Sequence, residues 1–192
     1  MKTTSITLVG IFLIGIFIII IILGIYLIAL YNRLVRLRQI VRNAWSQIDV
    51  QLKRRHDLIP NLVETVKGYA AHERTVLESV IEARSKATRA TTPADAIKAE
   101  GELSSALARL FAVVESYPNL KADQNFRMLQ EELTSTENRV AFARQAYNDS
   151  VLQLNTEVQS FPAVLFAKML GFNQEPFFET PAEQKEPPKV QF

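Results

Sequence analysis

The stretch ITLVGIFLIGIFIIIIILGIYLIAL, Ile6 to Leu30, carries no charged side chain, and the sequence after it, YNRLVRLRQIVRNAWSQIDVQL (Tyr31 to Leu52), places four arginines ahead of the first acid, Asp49. At about 1.5 Å of rise per residue the apolar run measures roughly 37 Å as a helix, enough to cross a hydrocarbon core of about 30 Å. Residues 1–30 therefore read as one transmembrane anchor. A secretory signal peptide has a shorter apolar region and a small-residue cleavage site; Tyr31, Asn32 and Arg33 stand where that site would lie, so the segment is expected to stay attached. Arg33, Arg36, Arg38 and Arg42 outweigh Lys2 and the amino terminus on the other side. That excess places the downstream residues on the inner face of a membrane, with a short N-terminus outside. Gly10, Gly15 and Gly24 are not spaced as a helix-pairing face.

After the anchor come about 160 residues, the size of one domain with a substantial core. The formal charge of the chain is +2, and setting Lys2 aside leaves +1 for the rest, so no global excess recruits nucleic acid. The chain has no cysteine, which excludes disulfides and thiolate metal sites and suits a reducing compartment.

The hydrophobic period is helical throughout, and no strand alternation occurs, which predicts an all-α protein. Leu34, Leu37, Val41, Ala44, Ile48 and Leu52 form the first stripe, and nothing between Leu30 and Pro60 interrupts a helix continuing straight from the span. Ile59, Leu62, Val66, Tyr69, Leu77, Val80 and Ile81 form a second stripe that ends before Thr91, Thr92 and Pro93. Pro60 either separates these helices, with Asn61 and Glu64 as a capping box, or kinks one helix. The stripe keeps its phase across Pro60 apart from Arg55 and His56, yet a break is the reading favoured here.

The third helix has Thr92 as N-cap, Pro93 in first position and Asp95 in the first turn. Ile97, Leu103, Leu107, Leu110, Phe111 and Val114 mark its apolar face, and Tyr117 and Pro118 stop it. Asn119 caps a fourth helix, where Phe126, Leu129, Leu133, Val140, Ala143, Tyr147, Val151, Leu154 and Val158 hold their spacing for about 40 residues, roughly 60 Å. Pro162 ends it; Ala163 to Leu170 is expected to be a short fifth helix stopped by Gly171. Pro176, Pro181, Pro187 and Pro188 make residues 173–192 a proline-rich tail, expected to be largely disordered. Four amphipathic helices on short connections pack as an antiparallel up-and-down bundle spanning residues 31–172. With a break at Pro60 the last helix returns to the membrane with its phenylalanines; with a kink it carries them away.

The stretches Tyr31–Ala70, ESYPNLKADQNF (Glu115–Phe126), LQEELTSTENRVAFARQAYNDSV (Leu129–Val151) and FPAVLFAKMLGF (Phe161–Phe172) strongly resemble the bacterial LemA family, with AWSQIDVQLKRR, DLIPNL and STENR intact and in order. The resemblance covers Tyr31 to Phe178. It implies a single N-terminal span, a cytoplasmic helical bundle and a bacterial source, with no established catalytic activity. Members are often encoded beside membrane-associated or peptidase-related genes, which hints at such partners.

Reaction chemistry has few parts here. His56 and His72 lack the spacing of a zinc-binding pair, and there is no HExxH, P-loop, GxSxG or glycine-rich phosphate cradle. Both histidines read as surface or capping residues, and no cofactor is expected. Arg33, Arg36, Arg38 and Arg42 suit anionic headgroups, at about 1 kcal/mol for each near-surface charge. Lys53, Arg54 and Arg55 read first as a solvated or cross-bundle-paired face, second as a ligand site. Trp45 is core or interface. Asn61, Asn138, Asn148 and Asn155 lie near apolar stripes, where amides fix register or oligomeric state, or else face water or cap a neighbour. Phe161, Phe166, Phe172, Phe177 and Phe178 form an aromatic C-terminal set that could touch a membrane or a partner.

The expected function is a membrane-anchored, non-enzymatic scaffold or interaction protein that oligomerises at the cytoplasmic face of a bacterial inner membrane. The alternative is an accessory or regulatory subunit of a membrane protease or envelope-stress system.

Overall fold

The computed structural model describes residues 2–178, with side chains from residue 12 onward. The described residues hold five α-helices and no strand: α1 (Lys2–Tyr69), α2 (Arg74–Arg89), α3 (Pro93–Val114), α4 (Pro118–Ala122) and α5 (Gln124–Gln159). The all-α expectation holds. The chain divides into two units, one of residues 1–41 and 152–175, the other of residues 42–151 and 176–192.

In the second unit, α1, α2, α3 and α5 form an up-and-down bundle. Partners on α5 and at its cap descend in number as those on α1 rise: Tyr147 stacks edge-on against Trp45, Glu137 pairs with Arg55, and Asp123 accepts from Tyr69. Partners on α3 and just beyond it ascend with α1, from Glu100 against Arg55 to Tyr117 against Glu73. All helices contribute to one apolar core that includes Ile59, Leu62, Val66, Val80, Leu103, Leu110, Leu120 and Phe126.

Helix α1 does not break at Pro60; it runs 68 residues with that proline inside it. The favoured separation at Pro60 is therefore corrected, and the second predicted helix is divided instead at Ala70–Glu73. The physical reason lies across the bundle. Proline has no N–H to offer the carbonyl of residue 56 and pushes that carbonyl aside. Nε of Arg84, on α2, donates to the His56 carbonyl at 2.7 Å, supplying the hydrogen bond that the helix cannot. Because the carbonyl is matched, the helix continues about two and a half turns past Pro60 to Tyr69.

The capping of α3 follows the sequence: Thr92 Oγ1 accepts from the Asp95 N–H at 3.2 Å, with Pro93 beside it. The last long helix differs, since Asn119 lies inside the five-residue α4, and α5 is capped by Asp123, whose Oδ1 accepts from the Phe126 N–H at 2.9 Å. That N–H, and after it the Tyr69 hydroxyl at 3.0 Å from Oδ2, holds the Asp123 carboxyl below its usual pKa.

In the first unit, the C-terminal part of α5 runs antiparallel to α1, with Arg33 against Glu157 at 2.9 Å. Past Pro162 the expected helix is a single 3₁₀ turn, Ala163–Leu165, followed by turns to Gly171. Its backbone hydrogen bonds alternate between spans of three residues (Phe166 to Ala163) and four (Leu170 to Phe166), which prevents a regular helix. Gly171 sits at φ 79°, a left-handed conformation that reverses the chain without a Cβ clash. Tyr31 lies edge-on against Phe172 at 5.7 Å, so the aromatic segment stands beside the end of the apolar run although α1 is unbroken. A continuous α1 does not carry Phe172 away from the apolar run, because the reversal at Ala70–Glu73 supplies the turn that Pro60 does not.

Arg84→Met is expected to lower the unfolding free energy by about 1–3 kcal/mol by orphaning the His56 carbonyl. Adding Pro60→Ala should recover part of that loss, since the restored N–H re-forms the helical bond. Urea unfolding of both single variants and the double variant, followed by circular dichroism, measures the coupling; purely additive losses would refute the account.

Candidate functional site

The polar centre of the second unit grows from the two residues that interrupt the α1 stripe. Arg55 and His56 are 5% and 8% exposed, and facing them from α3 is Glu100, also 5% exposed. One carboxylate oxygen of Glu100 accepts from Arg55 Nη1 at 2.9 Å, and the other meets His56 Nε2 at 2.5 Å. Arg55 Nη2 also donates to Ser104 Oγ at 2.9 Å and pairs with Glu137 of α5 at 3.1 Å. His56 is thus a buried partner of a carboxylate, which corrects its reading as a surface or capping residue. His72 is exposed.

Buried charge is tolerated only when paired and hydrogen-bonded, and here one carboxylate answers two donors. The cluster ties α1, α3 and α5 together at one level. Glu100 was legible as an acid on the apolar face of the third helix, at three and seven residues before Leu103 and Leu107. Its partner was not, because nothing in the sequence sets the level of α3 against α1.

An open groove runs past this cluster between α3 and α5, lined among others by Ile97, Ser104, Phe111, Gln130, Thr134 and Asn138. Asn138 is exposed there. At one end stands Phe178, buried against Trp45 at 6.2 Å with the Arg144 guanidinium 5.5 Å from its ring. Lys53 and Arg54 are exposed, and Arg54 pairs with Glu132 across the bundle. Among the described residues, no three His, Cys, Asp or Glu side chains stand together as a metal site.

The asparagines divide by role. Asn61 is exposed. In the second unit, Asn148 accepts from the Phe178 N–H at 2.8 Å and donates to the Phe178 carbonyl at 3.1 Å. The Tyr147 hydroxyl donates to the Pro176 carbonyl at 3.0 Å. In the first unit, Asn155 treats Glu175 likewise, accepting at 2.8 Å and donating at 2.9 Å. Residues 173–178, counted with the tail above, are therefore held against a helix; residues 179–192 lie outside the described residues.

The arginines that follow the apolar run are not equivalent. In the first unit Arg33 pairs with Glu157, Arg38 lies 4.7 Å from the Phe172 ring centre, and Arg36 is exposed. Arg42, in the second unit, is exposed. Of the phenylalanines, Phe172 and Phe178 are buried, Phe166 is half-buried, and Phe161 and Phe177 are exposed.

Among known proteins, the model of the LemA family matches residues 44–192. Magnetosome protein MamQ 2 of Paramagnetospirillum magneticum is 24% identical over 175 residues, covering 78% of this chain and 64% of the relative. Magnetosome protein MamQ of Magnetospirillum gryphiswaldense is 26% identical over 179 residues, covering 79% and 66%. Protein LemA of Metamycoplasma hominis is 24% identical over 152 residues, covering 77% and 68%. The chain thus spans about two thirds of the length of these relatives.

Glu100→Ala is expected to cost about 3–5 kcal/mol, because it strands two buried donors, and Glu100→Gln less; chemical denaturation checks the order. Asn148→Ala should speed amide exchange at Phe178 roughly 5- to 150-fold, the equivalent of about 1–3 kcal/mol for two lost hydrogen bonds. Asn148→Asp should restore part of the protection, since a carboxylate still accepts from the Phe178 N–H but cannot donate to its carbonyl. Hydrogen exchange read by mass spectrometry distinguishes the three proteins.

Proposed function

The chain belongs to the LemA family, and on that premise we propose that it is a membrane-anchored, non-enzymatic helical scaffold whose bundle lies on the cytoplasmic face of a bacterial inner membrane, where it oligomerises or holds a partner protein. One observation carries the reading. The N-terminal part of α1 has a stretch of mean hydropathy 3.2 of which only 6% is buried by the protein itself. A helix apolar on every side and uncovered by its own fold finds its matching solvent in lipid. The same helix supplies the first member of the bundle, so anchor and interaction domain are one covalent element. The arginine excess just after the span supports the inward orientation.

Within this reading Arg36 and Arg42, exposed and near the span, meet anionic headgroups, and the helix faces around the groove meet a protein. The groove between α3 and α5 also favours a second reading, an accessory subunit that presents or receives an extended segment of a membrane protease or its client.

Full-length protein captured in native nanodiscs and sized by mass photometry separates the readings. A homomeric assembly is expected; a second protein at fixed stoichiometry would establish the accessory reading instead. Protease added outside intact spheroplasts is expected to spare residues 31–178, and their digestion there would overturn the orientation.

A further inference from the structure

The turn that follows α5 exposes more apolar surface than its neighbours. Phe161 is 81% exposed, Val164 47%, Leu165 58% and Met169 84%. Between them, Ala163 and Ala167 are buried, so the turn is seated by its small residues and presents its large ones outward. Such a cluster in a soluble loop marks an interaction surface.

Its level relative to the apolar run is fixed within the first unit. Glu157 meets Arg33, and α5 runs antiparallel to α1 there. Phe161 follows Glu157 by four residues, about 6 Å of helical rise, which brings it level with Ala29 and Leu30 at the end of the apolar run. Leu30 is buried, and Tyr31 and Arg38 both lie against the Phe172 ring. Two exposed cations accompany the outward apolar side chains: Lys168 within the turn and Arg33, which meets Glu157 just before it. Apolar groups level with the last turn of a span, rimmed by long basic side chains, have the arrangement of an interfacial element.

We propose that the turn Phe161–Leu170 is a second, non-spanning membrane contact, in which Phe161, Val164, Leu165 and Met169 enter the headgroup–acyl boundary of the bilayer that α1 crosses. This rests on reading the apolar run as a span. The occupant of the patch is lipid, because the patch is level with the end of an apolar run whose exposed side chains need lipid around them. Lys168 and Arg33 reach the phosphate level, and the end of α5 is pinned to the surface independently of the anchor.

The chain has no native cysteine, so single nitroxide labels report unambiguously. Full-length protein with Leu165→Cys, Met169→Cys, Ile20→Cys or Phe142→Cys is labelled and reconstituted in phosphatidylcholine–phosphatidylglycerol vesicles. Collision with oxygen is then compared with collision with a water-soluble nickel chelate. The labels at positions 165 and 169 should collide with nickel several-fold less than the label at the exposed Phe142 position, and those at 165 should approach the Ile20 value. Equal nickel access at positions 142, 165 and 169, with position 20 protected, would overturn the contact while leaving the anchor intact. Nickel access at position 20 as well would remove the spanning reading and this inference with it.

Discussion

A single hydrogen bond, from the Arg84 guanidinium to the carbonyl of His56, decides where the bundle turns. Pro60 removes the donor that this carbonyl would have used, and a buried carbonyl without a partner costs about 1–3 kcal/mol. With the vacancy filled from α2, α1 reaches Tyr69, and the chain reverses at Ala70–Glu73. The contacts at that end follow from the reversal: Tyr69 on Asp123, which caps α5, and Tyr117 on Glu73, which precedes α2. Both carboxylates sit where the chain changes direction, and each raises the pKa of the tyrosine it binds.

The second constraint is the shared carboxylate of Glu100. Apolar stripes alone let helices slide by a turn, because one leucine replaces another in the same socket. Arg55 and His56 share Glu100, and Arg55 also meets Ser104 and Glu137, so a slide by one turn would part buried charged groups from their partners. The residues that break the apolar pattern of α1 are thus the ones that specify its alignment.

Much of the fold was legible in the residues. The uncharged run from Ile6, the Thr92–Pro93–Asp95 start and the stripes of α3 and α5 each state their structure locally, through period and capping chemistry. Pro60 was misleading because its local meaning, a helix stop, was overruled by Arg84, which reaches the His56 carbonyl from 28 residues further along the chain. The true reversal had a weaker signal in Gly68, two residues before Ala70. His56 looked like a surface residue because its partner lies on another helix. Asn148 and Asn155 were visible as amides close to apolar stripes, but a main-chain partner has no signature of its own. The aromatic segment beside Tyr31 was seen as a composition, whereas its seat on α1 depended on the reversal point.

The asparagines of α5 hold their segment by its peptide groups alone: Asn155 engages the N–H and C=O of Glu175, and Asn148 those of Phe178. Peptide groups are the same in every residue but proline. Position 175 therefore imposes little on the identity of its side chain, so long as it keeps an amide hydrogen. Selection can rewrite the outward chemistry of that stretch, altering what it displays, without loosening its grip on the helix beneath.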